Sequence, residues 1–280
     1  MPFTLLLSDT AIGVVTLFGK SERSRMSSSL NALHNPYTTA TEVTAFSIIT
    51  DYSKGIKYPI ADFEITPDVA IVDPELMYSL PKSLTAATGM DALTHAIEGY
   101  ITKGAWVMSD MYELQAIKMI AENLPLAVDE PTNPAGREGM ALAQYIAAQA
   151  FSNVGLGLVH GMAHPMGALH DIPHGVANAL LLPTIMEFNM PVCIEKFGVI
   201  ARTMGVNTDG MTLAEAAQAA VEAVRALAIR VGIPQHLSEL GITEKDIPAL
   251  AEQAIRDVCT PGNPRDVNME DIIRLYTAVL

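Results

Sequence analysis

Two short windows of this chain, GMDALTHAIEGY (Gly89 to Tyr100) and VHGMAHPMGALHDIPHG (Val159 to Gly175), have to be folded against each other. Five of the seven histidines, His95, His160, His164, His170 and His174, lie in these windows, in an otherwise apolar setting rich in Ala, Gly and Met. Burying them unpaired would be costly. Residues four apart on a helix share a face, so Asp91 and His95 can close on one ion, and His160 and His164 are spaced in the same way. His174 follows a short segment in which Pro173 and Gly175 mark a break before the next helix. Asp91, His95, His160 and His174 therefore read as one metal site. Three imidazoles and a carboxylate suit Zn, Fe, Co or Ni, whereas calcium and magnesium prefer all-oxygen shells. Any one of these residues alone is more often a hydrogen-bonded core residue than a ligand; the clustering is what favours metal. His170 and Asp171 are reserve candidates, because they precede the break and have no partner at helical spacing in the first window.

The organisation changes near Leu80. Before it, VTAFSIIT (Val43 to Thr50), IKYPIAD (Ile56 to Asp62) and VAIVD (Val69 to Asp73) are short β-branched runs bounded by turn residues, which predicts strands. After it the pattern is helical, over Ser83 to Ile101, Ser109 to Asn123, Glu138 to Ser152 and Thr212 to Val231. Thr212 with Glu215 forms a capping box, and Gly232 then Pro234 supply the stop. Thr243 with Asp246, and Asn268 with Asp271, mark the starts of two last helices. The expected architecture is an α/β segment over residues 1–80 followed by an all-helical metal-binding domain over residues 81–280.

Composition narrows the functional classes. The chain carries 17 Lys plus Arg against 31 Asp plus Glu and only two Cys, which disfavours a nucleic-acid binder and a disulfide scaffold. Half the residues are apolar, enough for a large core and an oligomer interface, but no uninterrupted apolar run reaches membrane-spanning length. VANALLLPTIM (Val176 to Met186) is too short and carries Pro183. The opening MPFTLLLSDTAIGVV lacks the basic start and cleavage site of a signal peptide, so the expected location is the cytoplasm, with no membrane partner.

The chain resembles the iron-containing, or group III, alcohol dehydrogenase family. The resemblance runs through EVTAFSIITD (Glu42 to Asp51), PDVAIVDPELM (Pro67 to Met77), LPKSLTAATGMDALTHAIEGYI (Leu80 to Ile101), FSNVGLGLVHGMAHPMGALHDIPHGVANALLLP (Phe151 to Pro183) and the tail with Cys259 and GNPR (Gly262 to Arg265). Within the family it is most similar to the lactaldehyde or 1,2-propanediol oxidoreductase and 1,3-propanediol dehydrogenase types. The first 35 or so residues, including SERSRMSSSLNALHNPY, show no resemblance. The family implies a dehydroquinate synthase-like fold, with a Rossmann-like N-terminal domain that is here an α/β remnant. Its Gly-Gly-Gly-Ser phosphate turn does not occur in this sequence.

The resemblance implies ferrous iron, with zinc in some members, held by Asp91, His95, His160 and His174, and NAD as hydride carrier. It places His164 beside the metal without making it a ligand. Its position one turn beyond His160 suits a proton relay, with structural support of the site as the competing role. Phe151 and Cys259 match positions lining the substrate pocket beside the nicotinamide, implying small alcohols or aldehydes. Thr38, Thr39, Thr41 and Lys57 match cofactor contacts, although the turn at TTATE is shorter than the family's. A homodimer is expected. Three functions compete. The first is a working NAD(H)-dependent alcohol dehydrogenase or aldehyde reductase; the second is a metal-binding member that has lost its cofactor. The third is a metal-dependent lyase related to dehydroquinate synthase. It ranks last, because the metal windows carry no basic residue for an acidic substrate.

Overall fold

The computed structural model describes residues 15–17, 30–32, 40, 42–51, 56–67, 70 and 72–280. Strand β1 (Val15–Leu17) pairs antiparallel with β2 (Leu30–Ala32), and β3 (Phe46–Asp51) with β4 (Ile56–Ala61). These are two separate two-stranded ribbons. The β3 and β4 expectation holds, and the Rossmann-like remnant stays an expectation: among the described residues no parallel strand pair occurs. Four residues separate β3 from β4, and so short a link can only return the chain antiparallel, whereas parallel neighbours need a long crossover. The described residues of the expected third strand, 70, 72 and 73, form none.

After two short 3-10 turns, Phe63–Ile65 and Pro74–Met77, the α-helices among the described residues begin at Lys82. They are α1 (Lys82–Ile101), α2 (Val107–Asp129), α3 (Pro134–Val154), α4 (Leu158–His170), α5 (His174–Thr203), α6 (Leu213–Arg230), α7 (Ile247–Ala254) and α8 (Met269–Ala278). Every helix expected from the sequence is present, and α2 and α3 extend further at both ends. The all-helical C-terminal domain is thus as expected.

α1 is the centre. All residues from Thr85 to Ile101 are buried, so the helix has no solvent face, and α2, α3 and α5 pack around it. Small residues, Ala86, Ala87, Gly89, Ala92, Ala96 and Gly99, allow that close surround. Two of its hydroxyls are satisfied within the helix, Thr88 Oγ1 donating to Leu84 O at 2.7 Å and Thr94 Oγ1 to Met90 O at 2.9 Å, while Thr85 Oγ1 accepts from Arg137 of α3 at 3.0 Å. Such a helix can carry polar side chains only where each finds a partner.

The breaks that aim α4 and α5 are local. α4 stops at Asp171, whose φ of 58° is left-handed, and Pro173 caps the start of α5 in extended conformation. The break expected at Pro173 therefore sets His174 on the first turn of α5. α5 is kinked at Cys193 (φ −127°, ψ 19°), two residues after Pro191, whose missing N–H cannot support the helix ladder. By length and composition α5 is apolar enough to cross a membrane, but 67% of its most apolar window is buried inside the molecule, as in a core helix. The capping boxes at Thr212, Thr243 and Asn268 form as expected, and Gly232, with φ of 82°, ends the turn after α6.

Among the described residues, one buried carboxyl lacks a partner on both of its oxygens. Glu113 on α2 is fully buried against Gly99, and neither carboxyl oxygen has a hydrogen-bond partner among the described residues. Burial, then the nearby Asp110, holds its carboxyl well above the ordinary range, so the folded protein keeps a proton that the unfolded chain releases. The contribution of the neutral acid is complete below the unfolded value near 4.5 and is lost as pH rises toward the folded one. Glu113→Leu is expected to gain stability over wild type by a margin that grows between pH 5 and pH 8, by up to about 1.4 kcal/mol per unit. Urea unfolding at several pH values measures this; a margin independent of pH would contradict it.

Candidate metal centre

The two sequence windows meet where α1, α4 and α5 converge. Asp91, His95, His160 and His174 each offer one donor atom, and all four atoms lie within 4.8 Å of one another. Asp91 Oδ1 is 3.9 Å from His160 Nε2 and 3.7 Å from His174 Nε2. Asp91, His95 and His160 are buried, whereas the His174 side chain keeps 40% of its surface open. The reserve candidates His170 and Asp171 lie outside the group, and Asp171 is exposed at the end of α4.

The electrostatics fit a cation. Burial pushes the His95 imidazole down to about 4 and that of His160 well below its ordinary value, so both are neutral donors. Asp91 Oδ2 is buried with no hydrogen-bond partner among the described residues. A buried carboxylate with one oxygen unpartnered and the other 3.7–3.9 Å from two imidazole nitrogens is what a divalent transition ion would satisfy, and these donors match its preference.

Surrounding residues hold the donors. Glu98 Oε1 accepts from the backbone N–H of Val159 at 2.6 Å, and Glu98 Oε2 lies 2.6 Å from His160 Nδ1. Burial raises Glu98 to about 8 while the backbone N–H donors pull it down, so one proton is held between Oε2 and Nδ1. With Nδ1 engaged, His160 turns Nε2 toward Asp91. Phe151 of α3 stacks on His95 with ring centroids 4.3 Å apart and planes 10° from parallel. Asn178, one turn along α5 from His174, donates from Nδ2 to Asp91 Oδ1 at 2.5 Å and lies 3.1 Å from both His160 Nε2 and His174 Nε2.

His164 sits on the open side. Its ring stacks over His174 at 5.5 Å, and its Nδ1 is 2.8 Å from Asp257 Oδ2. Cys259 is two residues further along that same turn, partly buried, and burial followed by the Asp257 charge holds its thiol well above the usual range. Phe151 thus borders the centre through His95, and Cys259 lies beside His164. Of the expected cofactor residues, Thr38, Thr39 and Thr41 lie outside the described residues. Lys57 is on β4, and its side chain also lies outside the description.

Three residues of this arrangement had weak sequence signals. Glu98 continues the Asp91 and His95 face by another turn, and Asn178 repeats the four-residue step from His174, so helical spacing would have found both. Asp257 is 93 residues from His164 and has no local signal.

A helical domain closing three imidazoles and a carboxylate on one point is a metal-site scaffold, and comparison with known proteins agrees. Residues 85–280 match the family model described as Fe-containing alcohol dehydrogenase family, C-terminal. Lactaldehyde reductase of Escherichia coli (strain K12) is 52% identical over 263 residues, 94% of this chain and 68% of that protein. NAD-dependent methanol dehydrogenase of Bacillus methanolicus is 45% identical over 242 residues, 86% of this chain and 64% of that protein. The crystal structure of a 1,3-propanediol oxidoreductase superposes with a TM-score of 0.86 at 45% identity, covering 87% of this chain and 64% of that one. The chain belongs to the iron-containing alcohol dehydrogenase family, a family of enzymes, and spans about two thirds of the length of these relatives. A match over 94% of the chain leaves about 17 residues outside it (280 − 263), so it reaches into the first 35 residues, where no resemblance was expected.

Two substitutions test how the centre is held. Glu98→Gln is expected to lower metal affinity about 10- to 100-fold by freeing the His160 ring, measured by competition with a chelator. Gly175, next to His174, lets α5 approach α1: a Cβ there would lie 2.6 Å from the backbone oxygen of Ala87 and 3.4 Å from Asp91 Cβ. Gly175→Ala is expected to cost about 1–3 kcal/mol of stability and to weaken metal binding as well. Unchanged metal binding in Gly175→Ala would show that α1 and α5 need not meet this closely.

Proposed function

We propose that this protein is a metal-dependent oxidoreductase that moves hydride between a small primary alcohol or diol and NAD, and in reverse reduces a small aldehyde such as lactaldehyde. The observation that carries the reading is the convergence of Asp91, His95, His160 and His174 beside a partly exposed histidine. The 52% identity to a lactaldehyde reductase and the 45% identity to an NAD-dependent methanol dehydrogenase support the substrate class and the carrier. In this reading residues 81–280 form the metal-binding catalytic domain, residues 1–80 contribute the nucleotide side, and the protein works as a homodimer.

Bound iron supplies Lewis-acid polarisation of the alcohol or carbonyl oxygen, and bound nicotinamide accepts or returns the hydride. The residues do the rest. His174 is the most open donor, so substrate enters from its side, where His164 and Cys259 stand. Asp257 accepts from His164 Nδ1, leaving Nε2 free to take the alcohol proton or return it. Phe151, stacked on His95, and Cys259 narrow the approach and favour short carbon chains. Glu98 keeps the His160 ring from turning as the charge at the centre changes.

Purified protein reconstituted with iron is expected to bind NADH, followed by its fluorescence, and to reduce lactaldehyde. His160→Ala should abolish turnover. His164→Gln should lower kcat about 10²- to 10⁴-fold and flatten its pH profile while one metal ion per chain is retained. Stoichiometric metal without NADH binding would overturn the oxidoreductase reading and leave a metal-binding member of the family.

A further inference from the structure

A second set of donors lies beside the first. His164 of α4 faces the turn that follows α7, and there a ring nitrogen of His164, a carboxylate oxygen of Asp257 and Sγ of Cys259 lie within 4.8 Å of one another, with His164 Nδ1 2.8 Å from Asp257 Oδ2. The turn is stiff: Asp257 Oδ1 accepts from the Cys259 backbone N–H at 2.9 Å, Asp257 O accepts from Thr260 N at 3.2 Å, and Thr260 Oγ1 donates to Ala254 O at 2.7 Å. The backbone that carries Asp257 and Cys259 is thereby fixed before any ligand arrives, leaving only side-chain rotations to close on an ion. The group is also reachable, since the side chains of His164 and Asp257 keep 30% and 15% of their surfaces open and Cys259 is partly exposed.

We propose that His164, Asp257 and Cys259 form a second metal site, separate from the four-donor centre, selective for zinc and similar thiophilic divalent ions and inhibitory when filled. One imidazole, one carboxylate and one thiolate, with water as fourth ligand, make a zinc donor set, and sulfur distinguishes it from the first centre, which has none. Zinc bond lengths place tetrahedral donors roughly 3.3–3.8 Å apart, so side-chain rotations close the present spread. The protons balance. The ion displaces the thiol proton of Cys259 to solvent, because a coordinating thiol is deprotonated outright. It also takes Nδ1 of His164, whose proton is exchanged for one on Nε2, so the neutral ring changes tautomer and one proton is released per ion. With Nε2 protonated, His164 can no longer accept a proton. That inhibitory consequence rests on the relay role proposed above; the binding does not.

Cobalt reports the site directly, because only a thiolate ligand gives a sulfur-to-cobalt charge-transfer absorption in the near ultraviolet. Iron-loaded protein titrated anaerobically with Co²⁺ is expected to take up one further ion per chain with that absorption. Cys259→Ala should remove it, and Asp257→Asn should weaken it at least tenfold, with the iron of the first centre retained in both as evidence of folding. Uptake without the absorption, absorption that survives Cys259→Ala and therefore comes from Cys193, or no second ion would each overturn the proposal. Zinc in excess should also inhibit turnover, with inhibition at least tenfold weaker in Cys259→Ser. If cobalt binds as expected but zinc leaves turnover untouched, the inhibitory part and the relay role of His164 fail while the site stands.

Discussion

A carboxylate buried in the middle of a helix with no solvent face is the constraint from which this domain follows. Asp91 is wholly buried, burial drives its carboxyl pKa upward, and one of its oxygens has no hydrogen-bond partner among the described residues. Such a group is tolerated as a carboxylate when positive charge or donors converge on it, and otherwise keeps its proton, as Glu113 does. The small residues of α1 let neighbouring helices come close enough to bring those donors, and the glycines at the crossings do the same from the other side. Gly175 removes the one side chain that would hold His174 away.

Convergence also orders the rest of the chain. α1 supplies Asp91, His95 and Glu98; α4 supplies His160 and His164; α5 supplies His174 and Asn178. Phe151 of α3 closes one side, and the turn after α7 reaches the other through Asp257. Segments distant in sequence are therefore joined through polar contacts that the apolar packing alone would not specify. Glu98 shows this most clearly, because its two oxygens tie α1 to the first turn of α4 through both backbone and ring. By contrast Glu113, equally buried on α2, has no such partner.

Helical spacing makes much of this legible in the amino-acid sequence itself. The four-residue steps from Asp91 to His95 and from His160 to His164, and the Pro173 break ahead of His174, contain the geometry of the centre, and the capping boxes at Thr212, Thr243 and Asn268 mark true helix starts. Two kinds of information are not local. Strand direction depends on which strands pair, so β-branched runs identify β3 and β4 but do not show that they form an antiparallel ribbon. Long-range polar contacts such as Asp257 to His164 leave no periodic trace. A lone aspartate in a turn looks the same whether it faces solvent or orients an imidazole.

The central claim, that these helices are arranged around one ion, is tested most directly by locating the ion. Crystals grown with ferrous iron and measured at the iron absorption edge should give one anomalous peak per chain among the four donors, within about 2.0–2.3 Å of Asp91, His95, His160 and His174, as bonded transition ions require. A chain that crystallises folded with no such peak, or with its peak elsewhere, would contradict the account.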